Sequence, residues 1–207
     1  ECAVINALLA VREGAVQVQG TINGVGERCG NANLCSIMAS LELKMGRQCL
    51  PEGRLHKLYE LSHVVDEVAN VTPNDHLPYV GKSAFAHKGG VHVAAMRRSE
   101  QSYQHVVPER VGNRMRVVVS ALSGRANILS KAEEHGVEVG GVVDVVGVLN
   151  DVKELEARGF SFEAAEASVA MMLKRQQPGY KPSFELVDFL VNVEHRQGRG
   201  IFAEAMV

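Results

Sequence analysis

The chain has 207 residues, 46% hydrophobic, 22% charged and 5% aromatic with no Trp, enough for one large or two modest domains with a buried core and too apolar for a disordered tract. A formal net charge of -2 with no block of Lys or Arg leaves no electrostatic footprint for nucleic acid, and no apolar run reaches the roughly 18 to 20 residues of a membrane span. The four cysteines, Cys2, Cys29, Cys35 and Cys49, form no CxxC pair and have no histidine at zinc-finger spacing, so they read as free thiols of a reducing, cytoplasmic compartment.

The chain opens on Glu1 with helical periodicity already under way from Cys2, and closes on strand-like Met206-Val207, so the reading is of a piece cut from a longer protein at both ends. Val4, Ile5, Leu8, Leu9 and Val11 repeat at helical spacing and stop at Gly14. Ala15–Gln19 reads as a strand. It hands over to a loop, Gly20-Thr21-Ile22-Asn23-Gly24-Val25-Gly26-Glu27-Arg28-Cys29-Gly30-Asn31-Ala32, in which Glu27, Arg28, Asn23 and Asn31 supply the charged and amide groups. A helix carrying Leu34, Ile37, Met38 and Leu41 follows and ends near Gly46. A glycine-rich loop between a strand and a helix is where α/β folds place their sites, and helix, strand, loop, helix is the rhythm of a βα barrel.

After Pro51-Glu52-Gly53 a third helix is expected, with Leu55, Leu58, Leu61, Val64, Val65 and Val68 as one apolar stripe, ending at Thr72-Pro73-Asn74-Asp75. From His76 to about Val111 the chain reads as an irregular, histidine-rich connector. Arg116–Ser120 is a short strand and Ser123-Gly124-Arg125 opens a helix towards Glu134, with Ser123 or Gly124 at the N-cap. Helices are expected over Val142–Arg158 and Phe162–Gln176, closed by Pro178-Gly179. A β-hairpin is expected from Phe184–Glu194 and Gly200–Val207.

Two clusters carry chemistry. Gly24-Val25-Gly26 resembles half of a dinucleotide fingerprint, but the third glycine comes one residue late, at Gly30, and no acidic residue ends a following strand; a structural turn is the other plain reading. Against that turn stand Glu27, Arg28 and Asn31, which a purely structural loop does not need. The second cluster runs from Ala84 through His87-Lys88-Gly89-Gly90-Val91-His92 to Tyr103 and His105. His92 beside glycines, with Tyr103 eleven residues on, suits an acid/base pair, whereas His87 and His92, five apart, lack the i, i+4 spacing of a helical metal site. Arg97, Arg98 and Lys88 read as a solvated face or as contacts for an anionic ligand.

Taken together, Gly20 to Leu34, His87-Lys88-Gly89-Gly90-Val91-His92, Tyr103, Pro108-Glu109, Val111-Gly112-Asn113 and Ser123-Gly124-Arg125-Ala126-Asn127 resemble the isopropylmalate, homocitrate and citramalate synthase family. Pro78-Tyr79-Val80-Gly81 and the run Ala84 to Arg98 point to its citramalate synthase branch. The resemblance implies an α/β fold: the last part of a (β/α)8 barrel over residues 1–50, mostly helical linker subdomains over 51–180, and the start of an α+β regulatory domain over 181–207. It implies a metal-dependent acyltransferase that condenses acetyl-CoA with a 2-oxo acid, pyruvate for this branch, giving citramalate on a route to isoleucine. Alternatives are 2-isopropylmalate or homocitrate synthesis, or a non-catalytic regulatory module. A lyase or carboxylase built on the same metal barrel is disfavoured by the stretch from His87 to Tyr103.

By the same resemblance Asn31 is the metal-proximal asparagine, for Mg, Mn or Zn, and Gly24, Gly26, Glu27 and Arg28 belong to the segment associated with acetyl-CoA. His92 and Tyr103 become catalytic residues that reach into the barrel of a partner subunit in a homodimer. The family's His-x-His and Asn-Asp metal ligands, its first metal aspartate, substrate arginine and catalytic glutamate fall upstream of Glu1. This stretch alone is therefore expected to be inactive.

Overall fold

A computed structural model describes residues 2–99, 102–137 and 144–207. These residues form a mixed α/β structure with seven α-helices and four strands. In chain order the elements are α1 (Ala3–Arg12), α2 (Leu34–Lys44), α3 (Leu58–Val68), β1 (Ala86–His87), α4 (Gly90–Arg98), β2 (Arg116–Val117), α5 (Arg125–Glu134), α6 (Val145–Ala157), α7 (Glu166–Arg175), β3 (Leu190–Arg196) and β4 (Gly200–Met206).

The expected strand at Ala15–Gln19 is corrected. The segment carries no ladder, and Val16 is fully exposed. A strand exists only through the neighbour that accepts its hydrogen bonds, and no strand of the described residues lies beside this one. The glycine-rich loop closes instead on itself: the Thr21 N–H donates to the Ala32 carbonyl (3.0 Å), and the Leu34 N–H donates back to the Thr21 carbonyl (2.9 Å). Asn33 then caps α2, its side chain accepting from the Cys35 N–H at 2.9 Å. Cys35, Ile37, Ala39 and Leu41 are the buried face of α2.

The third helix departs from its apolar stripe. Leu55–Lys57 is a separate 3-10 turn, and along α3 the buried positions are Leu58, Ser62 and Asp66, spaced four apart. Leu61, Val64 and Val68 are exposed. Burial is decided here by what the helix faces: Ser62 and Asp66 meet the amide of Asn23. Beneath them Cys35, Ala39, Leu55, Leu58, Val80, Phe85, Val106 and Val111 form one hydrophobic core.

The stretch expected to be irregular contains α4. Its apolar contacts are only Val93 and Met96, too sparse beside two glycines to announce a helix. β1 pairs in parallel with β2, Ala86 opposite Arg116 and His87 opposite Val117, so the strand expected over Arg116–Ser120 is shorter than expected. Each strand runs into a helix, and the two helix starts converge: a Cβ on Gly90 would lie 2.8 Å from the Gly124 Cα. Only glycine tolerates that approach. Buried Asn127 fastens the junction, donating to the Lys88 carbonyl (2.8 Å) and the Val118 carbonyl (3.0 Å) and accepting from the Gly124 N–H (3.1 Å). Gly124 is the N-cap of α5; the Ser123 hydroxyl accepts from the Ser120 N–H instead.

A second core joins α5, α6 and α7 through Ile128, Ala132, Val148, Val152, Val169 and Leu173. Of the helix expected over Val142–Arg158, residues 142 and 143 lie outside the described residues; α6 begins after Asp144, whose carboxylate accepts from the Val146 and Gly147 N–H groups. Lys131, almost wholly buried, is neutralised by Glu134 (2.7 Å) and Glu166 (3.5 Å), and Glu166 also receives Arg116 at 2.7 Å. The hairpin forms, with Leu190 opposite Met206 and Arg196 opposite Gly200, but its first strand is Leu190–Arg196 and not Phe184–Glu194, and every residue of β3 and β4 is exposed.

Candidate active site

The loop from Gly20 to Asn33 is built around Asn31. Its backbone N–H donates to the Gly24 carbonyl at 2.9 Å, and its side-chain Nδ2 donates to the Val25 carbonyl at 3.1 Å. Val25's oxygen also accepts the Thr21 hydroxyl at 2.7 Å. With Nδ2 engaged, Oδ1 is the open end of the carboxamide, with no donor among the described residues. The glycines make room for this arrangement. A Cβ on Gly26 would overlap the Asn31 carboxamide nitrogen, and one on Gly30 would overlap the Gly24 carbonyl. Glu27 and Arg28 are exposed at the loop tip, Arg28 in the left-handed region at φ 54°.

The second cluster gathers at the start of α4. Gly89 is the N-cap and His92 follows in the first turn. The His92 imidazole lies on the Tyr103 ring, centroids 4.5 Å apart and planes inclined by 34°. His87, at the end of β1, meets the same tyrosine from another side, edge to face with centroids 6.4 Å apart. His92 is exposed and Tyr103 is 49% exposed, while the Nε2 of His87 is buried with no hydrogen-bond partner among the described residues. Burial holds the His87 imidazole below its ordinary pKa, and the neighbouring His92 charge pushes the same way. The three rings thus combine a half-buried histidine, shifted towards its neutral form, with an exposed histidine and a half-exposed phenol.

The other candidates fall elsewhere. His105 packs near Tyr79, and its carbonyl accepts Lys44 Nζ at 2.9 Å. Lys88 pairs with Glu163, and Arg97 pairs with Glu133 at 3.2 Å, so these two cations already have carboxylate partners. Arg98 lines a cavity of about 300 Å³ whose wall also includes His87, Met96, Met115 and Glu133. No hydrogen bond, ion pair or ring contact among the described residues joins Asn31, Glu27 or Arg28 to His92 or Tyr103.

Asn31 Oδ1 is an oxygen of the hard kind that divalent cations take. Among the described residues no group of three His, Cys, Asp or Glu side chains could hold an ion. Sequence reasoning named Asn23 among the polar groups of the loop but missed its partners Ser62 and Asp66, with which it forms a polar knot beneath the loop. The available signal was a serine and an aspartate four apart on one helix, in line with the buried Leu58.

Residues 1–65 match the HMGL-like family and residues 79–159 match the homocitrate synthase post-HMGL domain-like family. The chain is 54% identical over 197 residues to the (R)-citramalate synthase of Geobacter sulfurreducens, covering 95% of this chain and 37% of that protein. It is 51% identical over 179 residues to the (R)-citramalate synthase of Streptomyces coelicolor, covering 86% of this chain and 34% of that protein. It is 38% identical over 157 residues to a probable 2-isopropylmalate synthase of Methanopyrus kandleri, covering 76% of this chain and 31% of that protein. The chain spans a little over a third of the length of the first two relatives. The glycine-rich loop lies in the first matched segment, and His87, His92 and Tyr103 lie in the second. The chain belongs to the citramalate synthase and 2-isopropylmalate synthase family.

Proposed function

We propose that this chain works within a condensing acyltransferase that joins acetyl-CoA to pyruvate and releases citramalate and CoA, a step towards isoleucine. The observation that carries this reading is the His92–Tyr103 ring pair, open to a ligand at the head of α4 inside the homocitrate synthase-like segment. The names of the similar proteins support pyruvate as the 2-oxo acid. The 38% identity to a probable 2-isopropylmalate synthase keeps a larger 2-oxo acid as the second reading.

The chemistry balances with the groups at hand. A methyl proton leaves the acetyl thioester to a base, the resulting carbanion forms a carbon–carbon bond to the keto carbon, and the keto oxygen becomes a hydroxyl. Water then cleaves the thioester, giving a carboxylate and the CoA thiol. His92 and Tyr103 deliver or accept protons and orient the hydrolytic water. Asn31 Oδ1 serves as one oxygen ligand of a divalent metal, Mg, Mn or Zn, which when bound supplies Lewis-acid polarisation of the keto group. Gly24, Gly26, Glu27 and Arg28 border the acetyl-CoA.

We further propose that the two clusters meet across a homodimer, His92 and Tyr103 of one subunit serving the barrel of the other. The absence of any contact between the clusters among the described residues of one chain supports this. Residues 1–50 belong to the last part of a TIM barrel, whose strands would cover the exposed Ile5 and Leu9 of α1. Residues 51–180 make the linker subdomains, and the exposed β3–β4 hairpin begins a regulatory domain at residue 181. No helix among the described residues is long and apolar enough to cross a membrane. Four free thiols support a reducing cytoplasm.

The test is product identification. The protein, extended to the relatives' length, is incubated with acetyl-CoA and each of pyruvate, 2-oxoisovalerate and 2-oxoglutarate. Citramalate from pyruvate is expected; isopropylmalate or homocitrate as the main product moves the assignment within the family, and no product from any of the three removes the enzyme reading.

A further inference from the structure

Asn23 lies two residues before Val25 and eight before Asn31, with its backbone in the left-handed region at φ 58° and ψ 7°. Asparagine tolerates that conformation better than most residues, and its carboxamide offers two donors and two acceptor sites. All four are filled. Nδ2 donates to the Ser62 carbonyl and to Asp66 Oδ1, both at 2.8 Å, and Oδ1 accepts from the Ser62 hydroxyl at 2.6 Å and from the Cys35 thiol at 3.5 Å. Ser62, Asp66 and Cys35 are 2%, 5% and 0% exposed.

A buried carboxylate is an expensive way to dock a helix, because apolar residues of similar volume do it without the desolvation cost. Leu61, Val64 and Val68 stand on the exposed side of the same helix, while Ser62 and Asp66 occupy the buried side. What the polar pair fixes is the orientation of one amide. From Asn23 the constraint passes directly along the chain: the Gly24 carbonyl holds the Asn31 N–H, and the Val25 carbonyl holds the Asn31 side chain. We propose that Ser62 and Asp66 on α3 are positioning residues for the Asn31 carboxamide, acting through Asn23. The proposal rests on the proposed function only in giving Asn31 a part in the reaction; the mechanical linkage is independent of it.

Amide hydrogen exchange on this chain tests the linkage. Asp66→Ala is expected to speed exchange of the Asn31 and Leu34 amides, which bond to Gly24 and Thr21, at least tenfold, while amides of α6 and α7 exchange as before. Asp66→Asn keeps an acceptor oxygen for Asn23 and is expected to stay within threefold of the unsubstituted chain. Asn23→Ala should reproduce the Asp66→Ala pattern. Unchanged loop exchange in Asp66→Ala, or acceleration shared equally by α6 and α7, overturns the proposal, as does an Asp66→Asn variant as loose as Asp66→Ala. In the protein at the relatives' length, kcat should fall at least tenfold in Asp66→Ala and recover in Asp66→Asn. A loosened loop with unaltered kcat overturns the role given to Asn31. Absence of turnover from the unsubstituted protein counts against the proposed reaction alone, since the exchange pattern still decides the linkage.

Discussion

The imidazole of His92 lies 4.5 Å, centroid to centroid, from the ring of Tyr103, and the two residues come from the start of α4 and from a turn eleven residues on. This contact lets the packing of the tyrosine be tested apart from its proposed proton transfer. Tyr103→Phe keeps the ring on His92 and removes only the hydroxyl, so thermal stability should hold while kcat falls about 100- to 10,000-fold, the range for a lost proton-transfer group. Equal kcat in Tyr103→Phe and the parent would make the tyrosine a packing partner only. Steady-state rates beside a melting curve decide between them.

Gly26 gives a test of the loop. Its missing Cβ leaves space for the Asn31 carboxamide, so Gly26→Ala must turn that side chain away from the Val25 carbonyl. The fold should lose no more than about 1 kcal/mol, since the residue is exposed and its backbone needs no positive φ. Turnover should drop at least tenfold. A folded Gly26→Ala protein of full activity would show that Asn31's side-chain orientation is immaterial.

The acid limb of stability follows from His87 and Glu166. The His87 pKa lies below its ordinary 6.5, chiefly through burial, so the unfolded chain binds more protons in the interval between the two values. Its contribution is therefore complete above pH 6.5 and is lost as pH falls through the folded value. Glu166 is held below its ordinary 4.5, first by the hydrogen bond from Arg116, so its contribution is present above pH 4.5 and disappears at lower pH. Denaturation midpoints measured from pH 8 to 2 should decline in these two windows, and His87→Phe should flatten the upper one.

Asp144 caps α6 through two backbone N–H groups, at 3.1 and 2.8 Å. Asp144→Ala should destabilise by about 1 kcal/mol in urea unfolding, and Asp144→Ser should recover part of it. No change on Asp144→Ala would mean that the first turn of α6 is satisfied by water.

What could be read from the sequence alone depended on whether the determining contacts were local. The helices α2, α5, α6 and α7 and the β3–β4 hairpin announce themselves through periodicity and turn residues, and His92 with Tyr103 through a distinctive motif. Ala15–Gln19 has strand composition, but pairing is a property of its neighbours. On α3 the apolar stripe holds for Leu55 and Leu58 but fails for Leu61, Val64 and Val68, since Asn23, some forty residues earlier, makes Ser62 and Asp66 the buried positions. Helix α4 was hidden by Gly89 and Gly90, of which Gly90 lets its first turn meet Gly124. His87 meets Tyr103 from the end of β1, whose parallel pairing with β2 has no signature within either strand.

The most direct test follows free CoA with a thiol reagent, using the protein at its relatives' length with acetyl-CoA and pyruvate, alongside its His92→Ala variant. Thiol release that depends on pyruvate and falls at least 100-fold in the variant is the expected result. Release that proceeds equally with His92 replaced, or that ignores the 2-oxo acid, contradicts the assignment.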